Sequence, residues 1–214
     1  MIVENFNQDY LLASCKLFSE QFEDRSRFAF HGTSTVYSDS IEASGLQYPF
    51  FPVNPEDLEN LANSLDAEHK DLADCLRASS RRSTRISLAP YSYIAANHAI
   101  QKRGGQVAGF CKLAIGLGGT PSARLIEQLS EFDKAAPCVF AVDICGYSRS
   151  DIQFEAGVFQ SMVGIPAARV IAKVLIPDSF EFAGYETLTA RMPSRLAGLA
   201  NKSLAQALAR FNSD

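Results

Sequence analysis

The sequence predicts an α+β fold. Segments rich in β-branched residues, which are typical of buried strands, occur at residues 139–144 and 169–176. Several other segments carry apolar residues three and four positions apart, the spacing of one face of an amphipathic helix. Strands and helices do not alternate regularly along the chain, which favours α+β over a doubly wound parallel sheet.

The composition is that of an ordinary globular protein. The 214 residues are 47% hydrophobic and 21% charged, and we expect one domain over residues 1–214. A net charge of -4 argues against a general nucleic-acid coat, although a local basic patch could still hold a nucleic-acid substrate. The five cysteines are scattered without a Cys-x-x-Cys pair, so neither a disulfide framework nor a metal site is expected. No apolar run reaches the roughly 20 residues of a membrane-spanning helix and no secretory signal is recognised, so we expect a cytoplasmic protein without membrane contact.

The first half of the chain carries the following elements in order. Apolar residues at spacings of four, three and four predict an N-terminal helix over about 7–24, with Leu11, Cys15, Phe18 and Phe22 on its buried face. A short strand at 27–30 leads into His31, and a brief helix at 38–44 is closed by Gly45. Regularly spaced leucines predict a pair of helices over about 55–78, an acidic helical insertion.

The second half is interpreted from the same signals. The predicted elements are a strand at 86–88, a helix from Pro90 to the glycines at 104–105, a strand at 107–115, a glycine-rich turn at 116–119, a helix at 122–134, strands at 139–144 and 169–176, and an amphipathic C-terminal helix at about 194–211.

Common catalytic motifs are absent or incomplete. The chain has no G-x-x-x-x-G-K-[ST] phosphate loop and no G-x-S-x-G elbow, and residues 116–119 do not complete a dinucleotide-binding loop, which favours a plain turn. Only three histidines are available for a metal site. A cysteine–histidine hydrolase stays open, because its partners would meet only in the fold.

His31-Gly32-Thr33-Ser34 is the most informative short motif. A strand that ends here would leave an imidazole and a residue without Cβ at its open end. Glycine allows a flat ligand to approach the backbone, whose N–H and C=O groups can hold an amide, while histidine can bond a ribose hydroxyl. The alternative is a histidine that only caps its own turn.

The run FHGTSTVYSDSIEASGLQ resembles the opening motif of the ADP-ribosyltransferases of the diphtheria-toxin and poly(ADP-ribose) polymerase type. It has the aromatic-His-Gly-Thr sequence, then Ile41, three variable residues and Gly45-Leu46. Two later segments, RISLAPYSYIAANHAI and DIQFEAGVF, are similar to the second and third motifs of that superfamily. The resemblance covers roughly residues 28–176 and implies a split, mostly antiparallel sheet around an NAD cleft.

The resemblance also implies roles for single residues. His31 would bond the adenosine-side ribose of NAD, the backbone of Gly32 would bind the nicotinamide carboxamide, and Thr33 completes this cofactor-binding motif. Glu155 would be the catalytic carboxylate, since a fixed negative charge stabilises the cationic sugar formed when nicotinamide leaves. Gln153 would help to orient the acceptor. The alternative for Glu155 is an exposed charge on an edge strand.

The second motif departs from the family pattern. Its two usual tyrosine positions fall on Ser87 and His98, which become candidate NAD contacts. If residues 91–103 form a helix, Tyr91, Ala95 and His98 share a face, and Tyr91 is the candidate for stacking on nicotinamide, with Tyr93 displaced from it. Arginines at 81, 82 and 85 could contact a pyrophosphate or an acidic acceptor, or could form a solvated loop.

The function that the resemblance implies is NAD-dependent mono-ADP-ribosyl transfer to an intracellular macromolecule, protein or nucleic acid, with NAD as co-substrate. The size of the chain suits a bacterial or phage-related toxin or defence enzyme, which leaves room for an antitoxin or inhibitor as a partner. The alternatives are an NAD-dependent RNA 2′-phosphotransferase and a catalytically inactive ligand-binding domain of the same fold.

Overall fold

The computed structural model describes residues 1–48, 53–81, 85–101, 105–155 and 157–180. Within these ranges the protein has an α+β fold, as predicted. Its elements in chain order are β1 Ile2–Glu4, α1 Gln8–Ser14, β2 Phe28–Ser34, α2 Ser38–Ser44, α3 Pro55–Asn63, α4 Lys70–Arg81, β3 Ile86–Leu88, α5 Ser92–Gln101, α6 Gly105–Gly116, α7 Ala123–Lys134, β4 Pro137–Asp143, β5 Ile152–Glu155, β6 Val158–Ser161 and β7 Val170–Leu175. The predicted C-terminal helix at 194–211 lies outside the described residues.

The strands form two sheets. The large sheet has the order β1-β7-β4-β2, and the small sheet has the order β3-β6-β5. All strand pairs are antiparallel except β1 with β7. In the part of the chain that the structure describes, one bridge between Phe30 of β2 and Ala89, just after β3, joins the two sheets, with backbone hydrogen bonds of 2.8 and 2.7 Å.

Helix α5 packs on one face of the large sheet at β2 and β4. Its buried Tyr93, Ala95 and Ala96 join a core cluster with Phe18 and Phe30. The backbone comes closest at Gly32, where an added Cβ would lie 2.0 Å from the carbonyl oxygen of Ala95. Glycine is therefore required at this position by the packing of α5 alone.

The predicted N-terminal helix is correct in its buried face but wrong in its length. Leu11, Cys15, Phe18 and Phe22 are all buried, yet α1 ends at Ser14 and is followed by a 3₁₀ turn at Glu20–Phe22. Cys15 takes a left-handed conformation with φ of 56°. Beyond it the amides of Leu17 and Phe18 donate to the Glu23 carboxylate instead of to helix carbonyls.

The strand predicted at residues 107–115 is wrong, because this segment is helix α6. Its buried residues, Val107, Ala108, Cys111 and Ala114, recur with helical spacing and pack with α3 and α4, which correspond to the predicted helical insertion. A short apolar run cannot be assigned to a buried strand or a buried helix from hydrophobicity alone. The helical layer is tied to α7 by buried Asp57, which accepts from Arg124 at 2.7 Å and Ser122 at 2.8 Å.

We expect the substitution Glu23→Gln to raise the melting temperature at pH 7. Burial raises the pKa of Glu23, so the folded state favours the uncharged carboxyl; its stability contribution is present at low pH and is lost as pH rises through the folded pKa. A Gln side chain keeps the Oε1 acceptor for Ser92 without the charge. Thermal unfolding from pH 5 to 7 should show a gain over wild type that shrinks toward pH 5.

The matched control is Ser92→Ala, which removes the hydroxyl that donates to Glu23 and accepts from the Leu17 amide. It should cost about 1–3 kcal/mol across the same pH range, because it leaves buried polar groups without their partner. A Glu23→Gln protein that is less stable than wild type at pH 7 but not at pH 5 would show that the folded state does not raise the pKa of Glu23.

We expect Gly32→Ala to destabilise the fold by about 1–3 kcal/mol, since the new methyl group must displace either β2 or α5. Gly109→Ala is the matched control. Gly109 lies within α6, and nothing lies within 4 Å of an added Cβ there. Alanine should stabilise that helix by roughly 0.5–1 kcal/mol. Chemical denaturation of both variants tests the contrast, and an unaffected Gly32→Ala protein would show that α5 packs differently.

Candidate functional site

Strand β2 carries the His-Gly-Thr motif. We predicted that a strand would end at this motif, but His31, Gly32 and Thr33 lie inside β2 and pair in register with Phe140, Val139 and Cys138 of β4. The alternation of a strand separates the side chains: His31 and Thr33 line a pocket, whereas Phe30 and Gly32 face α5. The regular strand therefore holds the imidazole on the face opposite α5.

The backbone of Gly32 points to the free edge of β2. In an antiparallel ladder, hydrogen-bonding groups alternate between the two sides of a strand. Phe30 directs its N–H and C=O away from β4, to Ala89, so Gly32, two residues on, directs its own to the same side. In the described residues β3 bridges β2 only at Phe30, and β2 is the edge of the large sheet. This edge can present one donor and one acceptor to a ligand amide.

A pocket opens on the face of β2 that carries His31 and Thr33, with about 520 Å³ of empty space, part of which is open solvent. Its walls come from β2, from the segment 37–47 and from the start of β3. The lining residues are His31, Thr33, Tyr37, Ser40, Ile41, Gly45, Leu46, Gln47, Arg85 and Ile86.

His31 is held in one tautomer. Its Nδ1 lies 3.1 Å from the carbonyl oxygen of Ser87, which can only accept, so Nδ1 carries the proton and donates. Burial lowers the pKa of His31, and the hydrogen bond to Ser87 offsets this only in part. The imidazole is therefore neutral at pH 7, and its Nε2 is an acceptor suited to a hydroxyl group.

The small sheet brings three of the candidate residues onto one polar face. Ser87 pairs with Gln160, which pairs in turn with Gln153, and the hydroxyl of Ser87 donates to Oε1 of Gln160 at 3.1 Å. Glu155 lies on the same face, two residues beyond Gln153. The sequence did not predict Gln160 as a site residue, because only the register of the β5–β6 hairpin places it between Ser87 and Gln153.

Glu155 ends β5, the edge strand of the small sheet, and forms an ion pair with Arg85. A nitrogen of Arg85 lies 3.5 Å from Oε2 of Glu155. The Glu155 side chain is 57% exposed, as in the alternative of an exposed charge on an edge strand. Arg85 itself lines the pocket. The candidate carboxylate is thus joined to the pocket through Arg85.

The structure places the candidate stacking residues away from this pocket. Tyr91 precedes α5 and packs against the core cluster on the other face of the large sheet, and the guanidinium of Arg25 lies 4.3 Å from its ring centroid. Tyr93 is buried in the same cluster, its ring 5.6 Å from that of Tyr91. His98 is exposed on α5, whereas Ala95, three residues before it, is buried in the same core cluster as Tyr93.

Tyr37 is the aromatic residue in the pocket lining, and it was not among the site residues predicted from the sequence. It is half-buried and packs against Phe132, with ring centroids 5.8 Å apart, and burial raises its pKa above the usual range. Tyr37 stands six residues after His31 within the run that carries the resemblance. That position on the turn after β2 is the signal that could have identified it.

The basic stretch before β3 does not converge on a common point. Arg81 pairs with Glu59 at 3.3 Å and Arg77 with Asp74 at 3.1 Å, whereas Arg85 pairs with Glu155. Arg82 lies outside the described residues. Among the described arginines of this stretch, Arg85 is the one that lines the pocket.

Comparisons with known proteins identify no relative: no protein-family model, curated protein or solved structure matches the chain significantly. Within the described ranges, no helix combines the length and apolar character needed to cross a bilayer. The same ranges hold no group of three or more His, Cys, Asp or Glu side chains that could bind a metal ion. The function must therefore be argued from the site.

We expect an NMR titration to find His31 neutral, with its proton on Nδ1, throughout the range above pH 6.5. Burial lowers its pKa from 6.5, so protonation occurs only at more acidic pH, where Nε2 becomes a donor and the acceptor is lost. A His31→Gln spectrum assigns the signal. A proton on Nε2, or titration at or above pH 6.5, would contradict this description of the site.

Proposed function

We propose that this chain is an NAD-dependent mono-ADP-ribosyltransferase that modifies an intracellular macromolecule. The observation that carries the proposal is a pocket lined by both His31 and Arg85. His31 offers a neutral acceptor, Gly32 follows it on the open edge of β2, and Arg85 pairs with Glu155. They match the three needs of NAD: an acceptor for a ribose hydroxyl, an amide-binding edge and charges for the pyrophosphate and the reacting sugar.

Each of these groups has a proposed contact with NAD. His31 accepts a hydrogen bond from a ribose hydroxyl, and the N–H and C=O of Gly32 bind the nicotinamide carboxamide. Thr33 lines the same pocket. Tyr37 offers an aromatic face to a ligand ring, a role for which Tyr91 is poorly placed because Arg25 covers its ring.

The proposed reaction breaks the bond between nicotinamide and the ribose carbon. The bonding electrons leave with neutral nicotinamide, and the sugar develops positive charge, which the carboxylate of Glu155 stabilises. An acceptor nucleophile then bonds the same carbon and releases its proton. Glu155 is half exposed in the structure, so ligand and acceptor must exclude water to strengthen this interaction.

Gln153 is the proposed acceptor-orienting residue. It lies on the polar face of the small sheet, on the same strand as Glu155, and it is exposed. An exposed amide beside the reacting carboxylate can donate to or accept from a protein or a nucleic-acid acceptor. A toxin or defence role, with an antitoxin or inhibitor as partner, belongs to this proposal.

The RNA 2′-phosphotransferase alternative is less well supported. It requires several basic groups converging on an RNA phosphate, whereas Arg77 and Arg81 are paired with carboxylates outside the pocket. An inactive domain of the same fold would bind NAD without releasing nicotinamide, and the activity assay separates it from the transferase.

We expect Glu155→Gln to lower nicotinamide release and label transfer by about 10²–10³-fold, the usual loss when one preorganised charge-stabilising group is removed. Purified protein is incubated with labelled NAD and a cell lysate. Nuclease or protease sensitivity of the labelled product identifies the acceptor class.

The matched control is Glu127→Gln, since Glu127 is an exposed glutamate on α7 outside the pocket lining. It should retain wild-type activity within about twofold, as surface substitutions away from a site usually do. Wild-type protein that releases no nicotinamide and labels nothing, or a Glu155→Gln variant as active as this control, would overturn the proposal.

A further inference from the structure

The pocket is lined by a charged residue whose side chain forms an ion pair with a carboxylate outside the lining. Arg85 is the charged member of the described pocket lining, and its guanidinium contacts Glu155. The side chains are 48% and 57% exposed, so water screens the pair from both sides. Arg85 is thus positioned to act on a ligand and on the candidate carboxylate.

The ion pair between Arg85 and Glu155 is weak enough for another anion to replace Glu155. A nitrogen–oxygen distance of 3.5 Å is longer than the roughly 2.7–2.9 Å of a strong charged hydrogen bond. Exposed pairs of this kind shift an equilibrium by about fivefold at most. A phosphate group offers a guanidinium two short, parallel hydrogen bonds, which Glu155 does not make here.

We propose that Arg85 is a latch: it holds Glu155 when the pocket is empty, and it transfers to a phosphate group of an entering nucleotide, which frees the carboxylate. The inference rests on the proposed function for the role of Glu155, and it deepens that function by assigning a ligand-driven switch to the same site. Arg85 acts as a positioning residue for Glu155 and as a direct ligand contact.

The ligand class follows from the two partners at the pocket. The Nε2 of His31 needs a hydroxyl donor, whereas Arg85 needs an anion. A ribose with an attached phosphate supplies both within one molecule. The latch therefore responds to nucleotides carrying phosphate and not to nucleosides, which lack the anion that competes with Glu155.

Calorimetric titrations with ADP and with adenosine, at one fixed ionic strength, test the latch. Glu155→Gln should bind ADP about two- to fivefold more tightly than wild type, because Arg85 is released in advance. Adenosine affinity should not change. The matched control is Glu59→Gln, which loosens the ion pair with Arg81 outside the pocket lining and should leave ADP affinity unchanged.

A double-mutant cycle on Arg85 and Glu155 separates the latch from simple charge repulsion between Glu155 and the phosphates of ADP. Arg85→Gln should weaken ADP binding about tenfold or more, as expected when a charged hydrogen bond is lost. In that background Glu155→Gln should tighten ADP binding by less than it does with Arg85 present. An equal gain in both backgrounds, or no gain in the wild-type background, overturns the latch. Circular dichroism and thermal unfolding confirm that each variant is folded.

The outcomes distinguish the latch from the proposed function. If transfer requires Glu155 but the cycle shows no coupling to Arg85, the transferase proposal stands and the latch is wrong. If the cycle shows coupling in a protein that releases no nicotinamide, the nucleotide latch holds and the transferase proposal fails.

Discussion

The structure depends on the two backbone hydrogen bonds between Phe30 and Ala89. They are the bridge between the large and the small sheet, and both residues are buried. In the described residues the bridge is one residue pair, so the N–H and C=O of Gly32, two residues further along β2, belong to no ladder on that side. The same junction brings the Ser87 carbonyl within 3.1 Å of His31. A longer ladder would close this edge, and no ladder would leave the imidazole unoriented.

The two sides of β2 meet different physical demands. On the side that faces α5, position 32 must be glycine, because the carbonyl oxygen of Ala95 occupies the space that a Cβ would need. Toward the pocket the strand presents a partly desolvated imidazole whose neutral form results from burial. The glycine is explained by the packing of α5, so its presence alone does not indicate a ligand site.

Local patterns predicted some elements well and others poorly. The helices around residues 38–44 and 122–134 carry their own capping signals, Gly45 after the first and Ser122 before the second, and they form as predicted. The apolar residues of the segment 107–115 suit a buried helix as well as a strand. The helical signal lies beyond them, at Gly118, which has a φ of 93° and donates its amide to the carbonyl oxygen of Ile115. The N-terminal helix ends at Ser14, and the Leu17 amide beyond it binds Glu23 and the distant Ser92, contacts that no helical periodicity encodes.

The sequence by itself determined the α+β class and the order of most elements, since these depend on neighbouring residues. It also singled out His31, Gly32 and Glu155 as candidate site residues, a role that remains a proposal. Only the tertiary structure decided which side chains meet. It brought Arg85 to Glu155, placed Gln160 between Ser87 and Gln153, and put Tyr37 in the pocket lining while Tyr91 packs against the core. The reason is physical: strand register and the packing of α5 are set by long-range contacts, and these act between residues far apart in the chain.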